Sequence, residues 1–286
     1  MNYAHPEALV ETAWLAAHLG DQNLRILDGT FTLPGVSPTG PELYARQHIP
    51  GAIYFDIEEI KDAANPLPHM LPDAPTFARM MTALGVGSRH KIVVYDAFGL
   101  ASAPRVWWTL RAFGHKDVAI LNGGLPKWLA ENLPVTAKVP KFPTATFDAK
   151  LDRGRVRNKA QMLANLQSRR EQVIDARSAG RFAGTEPEPR AGLHGGHIPG
   201  SVSLPSTEFV DKATRTVLPA DALAAKFRAA GVDPAKPAVS SCGSGVTACA
   251  IAFGMHLLGW PETAVYDGSW SEWGLPGDTP VETGAR

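Results

Sequence analysis

Short apolar runs alternate with segments of helical periodicity along the chain. Four of these runs end on a polar or reactive side chain, at Asp28, Asp96, Asp175 and Cys242. Helix-like segments such as F-A-R-M-M-T-A-L-G-V and L-A-A-K-F-R-A-A-G-V lie between the runs. Strands that alternate with helices favour a parallel sheet flanked by helices. The pattern therefore predicts an α/β fold.

Two halves of the chain carry the same succession of signals. The motif H-I-P-G begins at His48 and again at His197, and an N-G-G segment before Trp128 matches a D-G-S segment before Trp273. The offset between matched positions stays between 145 and 149 residues. Chance similarity would not keep register over several motifs, so we predict two copies of one domain.

A proline-rich stretch without helical periodicity, residues 134–146, separates the copies. Such a composition is typical of a linker. We predict a first domain over residues 8–137, a linker over 138–155 and a second domain over 156–286.

The stretch A-V-S-S-C-G-S-G-V-T-A in the second copy reads as strand, tight loop and helix. Cys242 follows the strand, Gly243 and Gly245 supply backbone freedom, and a helix is expected to start near Val246. The N–H groups of such a loop at a helix N-terminus favour an anion, so the thiolate of Cys242 is expected to be stabilised and nucleophilic. The alternative is a buried structural cysteine.

The repeat is unequal at this position. The first copy has Asp96 where the second has Cys242, and its loop, D-A-F-G-L-A-S-A-P-R, is longer and has no thiol. We therefore expect the second domain to be catalytic and the first to support the site across an interdomain crevice.

Composition narrows the class of protein further. Of 286 residues 44% are hydrophobic and the formal net charge is zero, so no nucleic-acid or membrane partner is expected. The two cysteines, Cys242 and Cys249, are too close on one unit to suggest a structural disulfide. With no basic region followed by a long apolar run at the N-terminus, a cytoplasmic location is expected.

Several long motifs carry a resemblance to a known family. C-G-S-G-V-T-A, the two H-I-P-G segments, D-A-R-x-x-x-R-F-x-G-T-E-P-E-P-R, P-H-M-L-P and A-P-R-V-W-W-x-x-R-A-F-G-H resemble the tandem-rhodanese 3-mercaptopyruvate sulfurtransferases. The resemblance implies two rhodanese-like domains. It also implies sulfur transfer from 3-mercaptopyruvate, through a cysteine persulfide, to a thiol acceptor or cyanide, with release of pyruvate.

The resemblance assigns roles to individual residues. Cys242 would carry the persulfide. Ser244 would exchange a proton with His69, and Glu58 would orient the ring of His69. Some members of the family have Asp at the position of Glu58. The substrate-binding residues would be two arginines, whose fork matches a carboxylate, and the loop around the cysteine: Arg181, Arg190, Gly243, Gly245, Val246 and Thr247.

Other residues are expected to be structural, and no metal or cofactor is expected. Cys249 and five tryptophans should pack in the interior, and His48 and His197 should fix the turns of the two H-I-P-G motifs. The five tryptophans are Trp107, Trp108, Trp128, Trp270 and Trp273.

Three other functions compete with this interpretation. A cysteine phosphatase would need an arginine six positions after the cysteine, where Ala248 stands. A thiosulfate sulfurtransferase would carry basic residues in place of Gly243 and Ser244, and it is the closest alternative. A sulfur carrier without catalysis would not need the nucleophile, the loop and the arginines together. Thioredoxin is the suggested protein acceptor, by analogy with the family.

Overall fold

The protein folds into two α/β domains, each built on a five-stranded parallel sheet, as the computed structural model of residues 2–261 and 263–285 shows. The strand orders are β1-β5-β4-β2-β3 and β6-β10-β9-β7-β8, so the second sheet repeats the first. This arrangement confirms the predicted fold and the tandem repeat. The strands are β1 Leu9–Val10, β2 Leu24–Asp28, β3 Ala52–Tyr54, β4 Lys91–Tyr95, β5 Val118–Leu121, β6 Val156–Arg157, β7 Gln172–Asp175, β8 Val202–Ser203, β9 Ala238–Ser241 and β10 Ala264–Tyr266.

Helices lie between successive strands. They are α1 Thr12–Ala17, α2 Gly40–Arg46, α3 Ala74–Ala83, α4 Ala103–Ala112, α5 Gly124–Ala130, α6 Lys159–Ser168, α7 Ala179–Ala183, α8 Ala220–Ala229, α9 Ala248–Leu257 and α10 Ser269–Trp273.

The central strands are buried along their whole length. Every residue of β2, β5 and β9 is buried. Strands covered by helices on both faces have no exposed side, and this explains why their sequences are continuous apolar runs rather than alternating ones.

The two H-I-P-G turns are built alike. The Nδ1 atoms of His48 and His197 each lie 2.8 Å from a backbone carbonyl oxygen upstream in the chain. Gly51 and Gly200 end the motifs with φ values of 81° and 79°, a conformation that favours glycine. The predicted turn-fixing role of the histidines agrees with these contacts.

The domains meet along α4 and α9, whose side chains share one hydrophobic core. Trp107 of the first domain packs edge-to-face on Phe253 of the second, with ring centroids 5.0 Å apart. All five tryptophans predicted to be interior are buried, with at most 1% exposure.

Residues 137–152, which contain no helix or strand, run along the first domain. The proposed boundaries at 137 and 156 stay predictions, and the proposed end at residue 286 lies outside the described residues.

Two properties of the described residues bear on function. Neither Cys242 nor Cys249 is in a disulfide. In the ranges 2–261 and 263–285, no helix is long and apolar enough to cross a membrane.

Candidate active site

Cys242 lies directly after the central strand β9, and its backbone is held by the first turn of α10. Its N–H donates to Ser269 Oγ at 3.2 Å, and its carbonyl accepts from the Trp270 N–H at 2.9 Å. The residue is 2% exposed. Helix α9 begins at Ala248, two residues later than predicted, so Val246 and Thr247 belong to the loop. The loop therefore has more N–H groups free of helical hydrogen bonds than the sequence suggested.

The matching loop of the first domain shows what such a loop binds. The carboxylate of Asp96, at the position of Cys242, accepts five backbone N–H groups at 2.8–2.9 Å. The donors are Phe98, Gly99, Ala101, Ser102 and Ala103. The first copy thus fills its own anion-binding loop with a fixed carboxylate.

The loop after Cys242 has equivalent donors without an acceptor. Four N–H groups stand at the same spacing after Cys242 as four of the donors after Asp96, those of Ser244, Gly245, Thr247 and Ala248. None of the four donates to an acceptor within the described residues. Buried N–H groups are almost always satisfied. The loop of the second domain is therefore suited to an anion at or beside the Cys242 sulfur.

The two glycines of the loop serve different purposes. Gly245 has a φ of 76°, and a Cβ there would lie 2.8 Å from the Asp267 carbonyl oxygen. Gly243 does not have a positive φ, contrary to the expectation that both glycines supply unusual backbone conformations. A Cβ on Gly243 would instead lie 2.9 Å from Arg181 Nη2. Gly243 thus makes room for the guanidinium of Arg181, and Gly245 allows the turn of the loop.

A cavity of about 190 Å³ opens above Cys242 in the crevice between the domains. The second domain contributes Cys242, Gly243, Ser244, Val246, Thr247, Arg181 and Arg190, and the first contributes Phe31, Leu33, Ala101 and Ser102. Its size suits a small organic anion. Three of the predicted residues, Gly245, His69 and Glu58, are not in its lining, and His69 is connected to the cavity through Ser244.

A chain of hydrogen bonds leads from the cavity into the first domain. Ser244 Oγ lies 3.0 Å from His69 Nδ1, and His69 Nε2 lies 2.9 Å from Glu58 Oε1. The imidazole is buried, whereas 42% of the Glu58 side chain is exposed. The contact at 2.9 Å shows that the side chain of Glu58 is long enough to reach the histidine.

The carboxylate determines which imidazole nitrogen carries the proton. The hydrogen bond from His69 lowers the pKa of Glu58 to about 2, so the carboxylate is ionised at neutral pH and only accepts. His69 Nε2 must therefore donate, and in the neutral ring Nδ1 accepts from the Ser244 hydroxyl. In the imidazolium, the Nδ1–H can donate to the Ser244 carbonyl oxygen, 3.3 Å away. Both protonation states of His69 thus have partners.

The two predicted arginines differ in what holds them. Arg181 donates through Nε and Nη2 to Glu188, whose buried carboxylate also accepts from Arg177 Nη1 at 2.7 Å. Arg190 is half-buried and makes no hydrogen bond within the described residues, and burial lowers the pKa of its guanidinium. An unmatched guanidinium facing the cavity is the group best suited to bind a carboxylate.

Three buried side chains near the site were missed from the sequence: Glu188, Arg105 and Asp267. Glu188 stands in the motif T-E-P-E-P-R, and two acidic residues so close to Arg190 could have suggested a partner for an arginine. Arg105 and Asp267 lie 162 residues apart and carry no local signal of their contact.

Cys249 lies in the first turn of α9, where its Sγ contacts the Gly245 carbonyl oxygen at 3.2 Å. The residue is fully buried, and burial raises the pKa of its thiol. A thiol that stays protonated is a poor nucleophile. The predicted packing role of Cys249 is consistent with these observations.

Two parallel α/β domains of identical topology, with a cysteine in an anion-binding loop of the second, define the rhodanese class of protein. A rhodanese-like domain matches residues 11–131 and again residues 158–275. The chain belongs to the family of two-domain rhodanese-like sulfurtransferases, as its relatives also show.

The chain is 45% identical over 272 residues to the 3-mercaptopyruvate sulfurtransferase of Homo sapiens, covering 93% of this chain and 91% of that protein. It is 44% identical over 273 residues to the thiosulfate sulfurtransferase of Bos taurus, with the same coverage of 93% and 91%. The crystal structure of SseA from Escherichia coli, described with the 3-mercaptopyruvate sulfotransferases, superposes with a TM-score of 0.84 at 39% identity and covers 93% of this chain and 99% of SseA.

Proposed function

We propose that the protein transfers sulfur from 3-mercaptopyruvate to a thiol acceptor or cyanide through a persulfide on Cys242. The observation that carries the proposal is the hydrogen-bond chain from Ser244 through His69 to Glu58, which reaches the cavity of Cys242. A donor whose leaving group must gain a proton needs such a chain.

In the first half-reaction the Cys242 thiolate attacks the sulfur of 3-mercaptopyruvate. A bond forms between the two sulfurs, the bond between carbon and sulfur breaks, and its electron pair goes to the carbon as the enolate of pyruvate. Arg190, with Arg181 beside it, holds the carboxylate of the substrate. The free N–H groups of the loop stabilise the sulfur anion.

The enolate then takes a proton on carbon. Ser244 and His69 pass the proton of the substrate thiol to the enolate, which leaves as pyruvate while the persulfide remains as an anion. Glu58 holds the imidazole in orientation and stabilises its charged form, as the carboxylate does in a serine triad. No atom is gained or lost in these steps.

In the second half-reaction an acceptor attacks the outer sulfur of the persulfide. A thiolate forms a new persulfide and cyanide forms thiocyanate, and the Cys242 thiolate is regenerated. Thioredoxin is the protein acceptor that we propose by analogy with the family. We also propose a cytoplasmic location, since both cysteines are free thiols. Cell fractionation tests this location, because a relative in Arabidopsis thaliana is named mitochondrial.

Thiosulfate is the second candidate donor, supported by the 44% identity to a thiosulfate sulfurtransferase. Its leaving group, sulfite, is a stable anion and needs no proton relay. Gly243 and Ser244 add no positive charge beside the cysteine for that dianion. These two features favour 3-mercaptopyruvate.

The test is to incubate the protein with each donor and cyanide and to measure thiocyanate and pyruvate. We expect greater turnover with 3-mercaptopyruvate, and an intact mass that rises by one sulfur when that donor is added alone. Faster thiocyanate formation from thiosulfate would replace the proposal by its alternative. A mass gain without turnover would indicate a sulfur carrier.

Arg190→Ala is expected to lower kcat/KM for 3-mercaptopyruvate by a factor equivalent to about 1.5–3 kcal/mol of activation free energy, the range for a hydrogen bond to a charged group. Arg181→Ala should cost less within that range, because Glu188 already occupies two of its donors. Steady-state kinetics check both values. Arg79→Ala, at an exposed arginine of α3, is the control and should have no effect. Unchanged kinetics in both site variants would remove these arginines from substrate binding.

His69→Ala is expected to lower turnover with 3-mercaptopyruvate by about 10²-fold or more, the range for a general acid or base. The loss with thiosulfate should be smaller, because sulfite leaves without a proton. The ratio of the two rates, measured on one preparation, removes errors in the active fraction. Equal losses with both donors would mean that His69 only shapes the pocket.

A further inference from the structure

A buried guanidinium of the first domain contacts both halves of the hydrogen-bond chain. Arg105 Nη2 donates to the carbonyl oxygen of His69, and Arg105 Nη1 donates to the carbonyl oxygen of Gly245 at 3.2 Å. The first carbonyl belongs to the relay histidine, and the second belongs to the residue after Ser244. The side chain of Arg105 thus contacts both the loop that carries His69 and the loop that carries Ser244.

A carboxylate of the second domain completes the arrangement. Asp267 Oδ1 accepts from Arg105 Nη1 at 2.7 Å, and Asp267 Oδ2 accepts from the N–H of Leu71 at 2.8 Å. Arg105 and Asp267 are each 3% exposed. The ion pair therefore bridges the two domains beside the relay, in a place from which water is largely excluded.

The contacted backbone is held in conformations that need support. His69 has a φ of 61°, in the left-handed region that a residue with a Cβ occupies at a cost. Gly245 has a φ of 76°, and Arg105 Nη1 would lie 3.0 Å from a Cβ placed there. Such conformations persist where the surrounding contacts determine them.

Arg105 does not line the cavity of Cys242, and its guanidinium is already paired with Asp267. A further neighbour is the ring of Trp108, whose centroid lies 4.9 Å from Cζ. The relay, however, crosses between domains, because His69 comes from the first and Ser244 from the second. Its 3.0 Å contact depends on the relative position of two loops that are far apart in sequence.

We propose that Arg105, paired with Asp267, is a positioning residue that aligns His69 of the first domain with Ser244 of the second for proton transfer. The proposal rests on the function proposed above for the relay. The non-catalytic domain would then supply both the relay histidine and the cation that fixes the register of this histidine against the cysteine loop.

The test is a double-mutant cycle with Arg105→Met and His69→Ala. With His69 present, Arg105→Met is expected to lower pyruvate formation at saturating 3-mercaptopyruvate by about 10–100-fold, the cost of a small misplacement. The KM should stay within about twofold, since Arg181 and Arg190 are untouched. In the His69→Ala background the same change should cost less than about twofold, because residues that act as a unit are not additive.

Two further variants separate positioning from folding. Arg25→Met removes another buried arginine of the first domain, one that donates to the carbonyls of Gly85, Gln22 and Leu24. It should leave the kinetics of the folded protein unchanged. Arg105→Met alone leaves the buried Asp267 carboxylate without a cation, and this can prevent folding. In that case the double variant Arg105→Met with Asp267→Asn, which also removes the carboxylate charge, takes its place.

A spectroscopic measurement reads the position of His69 without relying on turnover. In protein labelled with ¹⁵N-histidine, the signals that disappear in His69→Ala identify its ring. We expect these signals to shift in Arg105→Met and to stay in place in Arg25→Met. Equal kinetic losses in both His69 backgrounds, or ring signals unmoved by Arg105→Met, would overturn the proposal. A wild-type protein without pyruvate formation would instead refute the proposed function, and the ring signals would still decide whether Arg105 positions His69.

Discussion

Cys242→Ser is expected to reduce sulfur transfer to the uncatalysed rate with either donor. A serine hydroxyl is a far weaker acid than a thiol, and it forms no persulfide, so the covalent intermediate is lost altogether. The loop that follows β9 is otherwise unchanged, because serine and cysteine have the same shape. Thiocyanate formation, with pyruvate as the second product, measures the loss.

Cys249→Ser is the matched control for this experiment. Its thiol is buried, and its Sγ contacts the Gly245 carbonyl oxygen, a contact that a serine hydroxyl can also make. We expect this variant to keep most of its activity. Peptide mapping after incubation with 3-mercaptopyruvate should find the added sulfur on Cys242. Added sulfur on Cys249 would contradict the assignment of the nucleophile.

Asp96→Ala is expected to destabilise the protein by about 3–5 kcal/mol, through the loss of buried hydrogen bonds. Its fully buried carboxylate accepts five N–H groups, and each buried donor left without a partner costs about 1–3 kcal/mol. Some relaxation and entry of water offset part of the sum. Denaturant unfolding, followed by circular dichroism, measures the free energy.

Asp96→Asn tests the reason for this loss. The amide of asparagine keeps one acceptor oxygen but turns its NH₂ group toward N–H donors, so we expect a substantial loss here as well. Asp117→Ala is the control, because this aspartate is exposed and pairs with Lys91 on the surface. A loss below about 1 kcal/mol in Asp96→Ala would show that solvent satisfies the loop, against the burial of the site.

The two copies of the loop have specialised in opposite ways. The first encloses the carboxylate of Asp96, which accepts five backbone N–H groups, and its residues Ala101 and Ser102 line the cavity. The second leaves its N–H groups open beside Cys242. The same strand, loop and helix thus hold a carboxylate of the chain itself in one domain and are suited to an external anion in the other.

Part of this organisation could be predicted from the sequence. Apolar runs ending at Asp28, Asp96, Asp175 and Cys242 predicted the central strands to within one residue of their ends. Local composition suffices for such strands, because burial on both faces requires continuous apolar sequence. The predicted start of the helix after Cys242 was two residues early, since Val246 and Thr247 have helix-compatible neighbours but stay in the loop.

The site residues were assigned from family motifs, and their roles remain predictions. The motifs place Cys242, Ser244 and Arg190 in short local segments, where spacing along the chain limits the distances between neighbouring groups. The partners that hold these groups could be predicted only in part. Glu188 beneath Arg181 was within reach of the sequence, because its motif carries acidic and basic residues side by side.

The two-fold repeat, the parallel α/β domains and the position of Cys242 after a central strand could all be predicted from the sequence. These features follow from periodicity and from glycine and proline placement, which act over a few residues. The contact of Arg105 with Asp267, 162 residues away, and with the His69 carbonyl oxygen is visible in the folded protein alone. A buried ion pair between domains depends on how two separately folded surfaces dock, and no local pattern encodes that contact.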